Sequence, residues 1–186
     1  MVRIAYFTNM VLGVAVIAFA VLGWATERRV VDAAIAGFAG APGDRIAAFS
    51  YVDARDGQDR AIDWSRRSAS VLAGWPVGED GAATESPLAA LEAAYHPSDV
   101  AFVYLVPLRR SEAEVWARRN AERLRPGAVF AADGARLFLR IFALDGSPDI
   151  YVLDSTGRIV VRSSPAAAVL EDSRVRAVLD SLIAAR

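Results

Sequence analysis

Residues 70–87 read S-V-L-A-G-W-P-V-G-E-D-G-A-A-T-E-S-P, and this stretch decides the fold. It begins with an apolar run typical of a buried strand, and the run ends at Trp75 because Pro76 cannot continue a strand ladder. A short polar loop follows. The motif Glu-x-Pro at residues 85–87 then opens a helix, since proline is tolerated in the first helical turn. The stretch therefore predicts a strand, a loop and a helix in succession.

Residues 146–160 form a second informative stretch, G-S-P-D-I-Y-V-L-D-S-T-G-R-I-V. Asp154 and Gly157 stand between two apolar runs, and both residue types favour tight turns. The pattern predicts a hairpin with strands at residues 150–154 and 159–162.

The remaining patterns alternate between strands and helices. The continuous apolar run at residues 100–107 predicts a central strand buried on both faces. The other predicted elements are strands at 46–52, 68–75 and 128–131 and helices at 85–96, 111–124, 135–142 and 173–185. In helix 111–124, Ser111 and Glu114 have the spacing of a capping box, and Val115 and Trp116 begin the predicted buried face. The order indicates an α/β domain with a mixed central sheet.

The two stretches together resemble the thioredoxin-like superfamily, in particular its membrane-anchored thiol-disulfide oxidoreductase and redoxin branch. In that family the first segment reads roughly F-W-A-x-W-C-x-x-C-x-x-E-x-P and the second G-x-P-x-x-x-x-x-D-x-x-G-x-I-V. The resemblance spans residues 68–185 and implies a thioredoxin-like domain at residues 46–186, a mixed sheet flanked by helices. It also implies that the Ser147–Pro148 peptide is cis and lies beside the former active site.

The chain lacks the residues that carry out the family's chemistry, because it has no cysteine. An ungapped alignment on Trp75 and the Glu-x-Pro motif places the two family cysteines at Glu79 and Ala82. Thiol–disulfide exchange needs two thiols, and peroxide reduction needs one thiolate. The resemblance therefore implies a redox-inactive protein whose former active-site groove binds an extended peptide through backbone hydrogen bonds. The predicted groove residues are Trp75, Pro76, Glu79, Asp80, Ala82, Ser147 and Pro148.

Composition excludes several other functions. All 21 basic residues are arginines, so neither a Schiff-base lysine nor a Walker-type phosphate lysine is present. His96 is the only histidine, and the net charge of −1 does not favour nucleic acid as a partner. We expect no cofactor and no metal. One alternative stays open: the adjacent acids Glu79 and Asp80 could serve an acid/base site or bind a hard metal ion.

Residues 4–25 are almost wholly apolar, which predicts a transmembrane anchor at residues 1–27, because roughly 20 residues cross a bilayer core. The predicted anchor residues include aromatics along the segment, namely Tyr6, Phe7, Phe19 and Trp24. A cleaved signal peptide is the competing interpretation, but the apolar stretch is longer than a usual signal-peptide core. Residues 28–45 are predicted to form a helical stalk and linker.

Flanking charges are nearly balanced, with Arg3 on one side and Arg28 and Arg29 on the other, so they do not fix the orientation. The resemblance implies a single-pass protein of the bacterial inner membrane with a periplasmic domain. We expect an accessory subunit or assembly factor of a respiratory or photosynthetic membrane complex, in contact with its subunits and with the lipid bilayer. The alternatives are an anchored chaperone or cytochrome-maturation helper, and an enzyme that uses the Glu79/Asp80 pair.

Overall fold

The computed structural model describes residues 40–75, 88–142, 144, 149–163 and 173–186, all within the unit Ala39–Arg186. The strands of this part of the chain are β1 (Ser50–Asp53), β2 (Asp59–Ala61), β3 (Ala69–Gly74), β4 (Val100–Val106), β5 (Val129–Ala132), β6 (Ile150–Asp154) and β7 (Ile159–Ser163). The helices are α1 (Ala89–Ala94), α2 (Ala113–Arg119), α3 (Leu137–Ile141) and α4 (Ser173–Ala184).

These strands form one mixed sheet in the order β2-β1-β5-β4-β3-β6-β7. β4 pairs in parallel with β3 on one side and with β5 on the other, and the outer pairs are antiparallel. The prediction for residues 100–107 is confirmed, because β4 occupies the centre and is buried along nearly its whole length. Its sequence, V-A-F-V-Y-L-V, is rich in the β-branched and aromatic residues that pack well in a sheet.

Side chains alternate between the two faces of the sheet. One face holds the main core, in which Phe102, Tyr104 and Phe130 pack with side chains from α1, α2 and α4. The opposite face contacts a second group of aromatic rings, with Phe49 lying 4.5 Å from Phe138 and 6.1 Å from Trp64. Each large apolar side chain buried in this way contributes about 1.5–3 kcal/mol relative to exposure.

The helix predicted at residues 111–124 is shorter in the structure. A 3-10 turn at Arg110–Glu112 precedes α2, and the predicted capping box of Ser111 and Glu114 is wrong, because the helix begins after Glu112 without a side-chain cap. Instead, the Glu112 carboxylate accepts a hydrogen bond from the Arg109 backbone N–H at 2.9 Å.

The prediction that Trp116 belongs to the buried face of α2 is confirmed, and the same prediction for Val115 is wrong, because Val115 is 43% exposed. The helix ends early because buried Asn120 caps it: its side-chain amide donates to the Trp116 carbonyl at 2.8 Å. The asparagine side chain competes well for backbone groups at helix ends, and the apolar spacing that predicts a helix does not include this effect.

The N-terminal strand also differs from the prediction of residues 46–52, since β1 begins only at Ser50. The residues before it hydrogen-bond to the β6–β7 hairpin. The backbone N–H of Ile46 donates to the Gly157 carbonyl, and that of Gly43 to the Ile159 carbonyl, each at 2.8 Å. The short edge strand β2 differs from the sequence-based expectation, because its three residues, D-R-A, are exposed and too few to give an alternating apolar pattern.

The predicted β6–β7 hairpin is confirmed, and its turn is organised by Asp154. The Oδ1 atom accepts hydrogen bonds from the Thr156 backbone at 2.8 Å, the Thr156 hydroxyl at 2.7 Å and the Arg158 backbone at 3.0 Å. Burial by itself raises the pKa of Asp154, but these hydrogen bonds to the charged form outweigh it, and the net pKa is lowered.

The predicted transmembrane anchor at residues 1–27 lies outside the described residues, together with Tyr6, Phe7, Phe19 and Trp24. The predicted stalk and linker lies outside them as far as residue 39. Within the described part of the chain, no helix is both long enough and apolar enough to cross a membrane.

Gly157 is the most constrained position of the hairpin and gives a stability prediction. Its φ is +79°, and an added Cβ would lie 2.5 Å from the Ile46 carbonyl oxygen and 2.6 Å from Cδ1 of Trp64. We expect Gly157→Ala to lower the free energy of unfolding by about 2–5 kcal/mol, through left-handed strain and overpacking together. Urea unfolding of the solubilised full chain, followed by circular dichroism, measures the change.

Gly57→Ala is the matched control. Gly57 also has a positive φ, +70°, but an added Cβ there meets nothing within 4 Å. Only backbone strain remains, and a loss of about 1 kcal/mol is expected. Equal losses in the two variants would contradict the packing of residue 46 and Trp64 against the hairpin turn.

Candidate functional site

The predicted groove is assigned to the segment that follows β3 and the segment that precedes β6. The antiparallel register pairs Ala73 with Ile150, so that Trp75 and Asp149 flank the two segments that the resemblance assigns to the former active site. Trp75 is the only predicted groove residue within the described part of the chain. The others lie outside the described residues: Pro76, Glu79, Asp80, Ala82, Ser147 and Pro148. The groove and its cis peptide remain predictions.

Trp75 belongs to a buried group of four aromatic residues, the aromatic cluster of Trp75, Tyr104, Trp116 and Phe130. The Trp75 ring stands perpendicular to that of Tyr104 at 4.7 Å and meets Phe130 edge-on at 5.2 Å. Tyr104 stacks on Phe130 at 5.4 Å, and Trp116 lies 6.1 Å from Phe130. Such pairs add about 0.5–1.5 kcal/mol each to the gain from burial. With 2% of its surface exposed, Trp75 offers no contact area to a partner.

The aromatic cluster has a polar edge that sequence reasoning missed. The Tyr104 hydroxyl donates a hydrogen bond to the carboxylate of Glu92, on α1. Arg125 Nε lies 2.9 Å from Oε2 of Glu92, whose side chain is only 5% exposed. A carboxylate buried this far needs such partners, since an isolated buried charge is very costly. Glu92 follows Leu91 and stands four residues after Leu88 on the apolar stripe of α1, and this position was the signal available in the sequence.

A second polar arrangement holds the start of β6. Asp149 is buried and accepts hydrogen bonds from Arg162 Nε at 2.9 Å and Nη2 at 2.6 Å. The Asp149 carboxylate raises the pKa of Arg162, and the guanidinium also lies 5.5 Å above the Tyr151 ring. Burial raises the pKa of Tyr151, whose hydroxyl donates to the Phe142 carbonyl at 2.7 Å. These contacts fix the strand directly after residues 145–148.

A metal ion has no evident binding centre in the part of the chain that the structure describes. No group of three or more His, Cys, Asp or Glu side chains converges there in the way a metal site requires. His96 is exposed, and its Nδ1 interacts with the Ser98 hydroxyl at 2.7 Å. The alternative acid/base or metal site at Glu79 and Asp80 lies outside the described residues.

Comparison with known proteins gives relatives by structure only, since no family model and no curated protein matches the sequence. An uncharacterised conserved protein from Geobacillus kaustophilus superposes with a TM-score of 0.55 at 20% identity, over 78% of this chain and 84% of that one. A DsbE-type thiol:disulfide interchange protein from Chlorobium tepidum superposes with a TM-score of 0.55 at 15% identity, over 76% and 98%. BsSco, of the Sco family of cytochrome c oxidase assembly proteins, gives 0.56 at 11% identity, over 78% and 98%.

These similarities show the fold: the described domain is thioredoxin-like, as the sequence stretches predicted. The chain differs from a working thiol oxidoreductase of this fold in having no cysteine at all. The fold is therefore thioredoxin-like, and the residues of this chain cannot perform thiol chemistry.

The burial of Trp75 predicts that this residue acts on stability. We expect Trp75→Ala to lower the free energy of unfolding by about 3–5 kcal/mol, because it opens a cavity against Tyr104 and Phe130. Trp75→Phe keeps an aromatic ring in place and should cost clearly less, about 1–2 kcal/mol. Urea unfolding of both variants measures the difference. An alanine variant as stable as the parent chain would show that Trp75 is not part of the core.

Proposed function

We propose that this chain is a redox-inactive, thioredoxin-like binding module, anchored in the bacterial inner membrane, that serves as an accessory subunit or assembly factor of a respiratory or photosynthetic complex. One observation carries the proposal: the fold is complete in its central sheet, with Trp75 packed at the end of β3, while every thiol is missing. We infer that a thioredoxin-like fold without thiols is retained for its contacts with other proteins. On this proposal the protein acts by binding and is not an enzyme.

Two further observations support the membrane and assembly parts of the proposal. Residues 4–25 are apolar over the length that crosses a bilayer core, which favours an anchor. The family resemblance, and not the charge pattern, implies that the domain is periplasmic. One protein of similar structure belongs to a family of cytochrome c oxidase assembly proteins. An assembly role for this chain is consistent with that neighbour.

The proposed contact surface is the former active-site groove, where an extended peptide segment of a partner would bind through backbone hydrogen bonds beside Pro148. This mode needs no thiol. Trp75 supports the end of β3 from within the core, so the side chains that contact the partner are expected among Pro76, Glu79, Asp80, Ala82 and Ser147.

A second candidate is an anchored chaperone or cytochrome-maturation helper that holds cysteine-bearing clients without oxidising them. The similarity to a thiol:disulfide interchange protein favours it, because a domain of that shape can present the same groove without the thiols. The enzyme alternative at Glu79 and Asp80 has no supporting observation in the described residues.

Purification of the protein from its native membrane tests the main proposal. We expect a tagged full-length chain, extracted in mild detergent, to bring down a multi-subunit membrane complex in fixed stoichiometry. Reversing the charges with Glu79→Arg and Asp80→Arg should reduce the recovered complex, whereas Glu114→Arg, on the exposed face of α2, should leave it unchanged. A monodisperse monomer carrying a metal ion would contradict the proposal, and transient capture of cysteine-bearing clients would favour the second candidate.

Restoring the thiols tests the assignment of the former active site. The double variant Glu79→Cys and Ala82→Cys contains the only two thiols in the chain. With dithiothreitol as the electron donor, we expect the reduced pair to reduce insulin disulfides faster than the parent chain does, because a Cys-x-x-Cys pair favours the thiolate. The disulfide that the pair forms in each cycle is returned to the dithiol by dithiothreitol. The shifted pair Asp80→Cys and Ala83→Cys is the control. If the shifted pair matches or exceeds the first in rate, the alignment of Glu79 and Ala82 is wrong.

A further inference from the structure

A pocket of about 350 Å³ lies beneath α1. It is formed by the second half of α1, the start of β4 and the loop at residues 125–128. The parallel register pairs Ala69 with Val100 and Gly74 with Leu105. Val100, which lines the pocket, is therefore five strand positions, about 17 Å, from the edge where Trp75 lies. Trp75, the one described residue of the proposed groove, does not line this pocket.

The wall of the pocket is fixed by a close backbone approach. Gly127 has a φ of +89°, and a Cβ at this position would lie 2.8 Å from Cβ of Pro97. Only glycine allows the loop to pack this closely against the chain after α1. Pro97 and Pro126 also line the pocket and restrict the backbone on both sides of that contact. The cavity is therefore preformed, and its volume falls within the range of small-molecule sites, about 300–1,000 Å³.

One charged group in the pocket is available to a ligand. Glu92 is occupied, because its buried carboxylate accepts the Tyr104 hydroxyl and faces Arg125 Nε at 2.9 Å. Arg125 is 42% exposed, and its Nη1 and Nη2 groups have no partner within the described residues. The Glu92 contact holds the guanidinium through Nε and leaves the two terminal groups as a fork, the geometry that binds a carboxylate with two hydrogen bonds.

The remaining polar group of the wall is not available. The Tyr95 hydroxyl lies 3.0 Å from Oδ1 of Asp180, to which it donates, and 3.3 Å from the Arg176 carbonyl. Burial and the Asp180 carboxylate raise the pKa of Tyr95 to about 12, so this side chain stays neutral at physiological pH. The rest of the lining is apolar, with Val100 and Phe102 from β4.

We propose that this pocket binds a small amphipathic monocarboxylate, with its apolar body against Val100 and Phe102 and its carboxylate on Nη1 and Nη2 of Arg125. The proposal goes beyond the binding-module function, because it rests on a different set of residues and does not need the groove.

Titration calorimetry of the solubilised full chain tests the site with 3-phenylpropanoate as the probe. We expect binding of 3-phenylpropanoate, and binding of the neutral 3-phenylpropanamide about 10-fold to 100-fold weaker, since a charge-assisted hydrogen bond is lost. Arg125→Gln should weaken 3-phenylpropanoate binding by a similar factor. Arg119→Gln, an exposed arginine of α2 outside the pocket, should not change it.

Arg125→Gln leaves the buried Glu92 carboxylate without its cation and could fail to fold. The double variant Glu92→Gln and Arg125→Gln removes both charges and keeps the size of both side chains. We expect the double variant to keep the circular dichroism spectrum of the parent chain and to lose affinity for 3-phenylpropanoate about 10-fold or more. Equal affinity of the acid and the amide, unchanged affinity in the double variant, or no binding to the parent chain would each overturn the proposal.

Discussion

The parallel ladder between β3 and β4 is the constraint on which the rest of the domain depends. Parallel neighbours need a crossover between them, and the crossover must cover a face of the sheet. Here it carries α1, whose Leu91 is fully buried against the core. The ladder also sets the two ends of the sheet apart, since the end of β3 at Trp75 and the start of β4 at Val100 point to opposite edges. Trp75 at the end of β3 and Val100 in the pocket under α1 are therefore separated by the length of the ladder.

Tyr104 connects the aromatic cluster with the polar wall of the pocket. Its ring packs between Trp75 and Phe130, while its hydroxyl reaches Glu92, beside the pocket. A tyrosine suits this position because it combines a large apolar body with a polar tip that must find a partner when buried. A buried carboxylate at Glu92 is tolerable only because this hydroxyl and Arg125 satisfy it. The core and the pocket wall thus depend on the same side chain.

The sequence predicted the central elements well because their signals are local. The apolar run of β4 and the Asp-x-x-Gly turn between β6 and β7 are each specified within about ten residues, and both are confirmed. The predictions failed where distant residues decide the structure. Residues 43–46 pair with the β6–β7 hairpin rather than extending β1, and the backbone alone makes those hydrogen bonds. The Glu92–Arg125 contact joins residues that are far apart in sequence, so no local pattern shows it.

The described residues explain how a thioredoxin-like domain can stay folded without its active-site cysteines. Trp75 stands four residues before Glu79, the aligned position of the first missing cysteine. It is held by Tyr104 and Phe130, which contribute to the core whether or not a thiol follows. Asp149 and Arg162 fix the start of β6 in the same independent way. The stability of the sheet therefore does not depend on the cysteines, and connecting segments in general tolerate changes in sequence and function. The absence of both cysteines removes thiol chemistry and leaves this frame in place, as the proposed binding role requires.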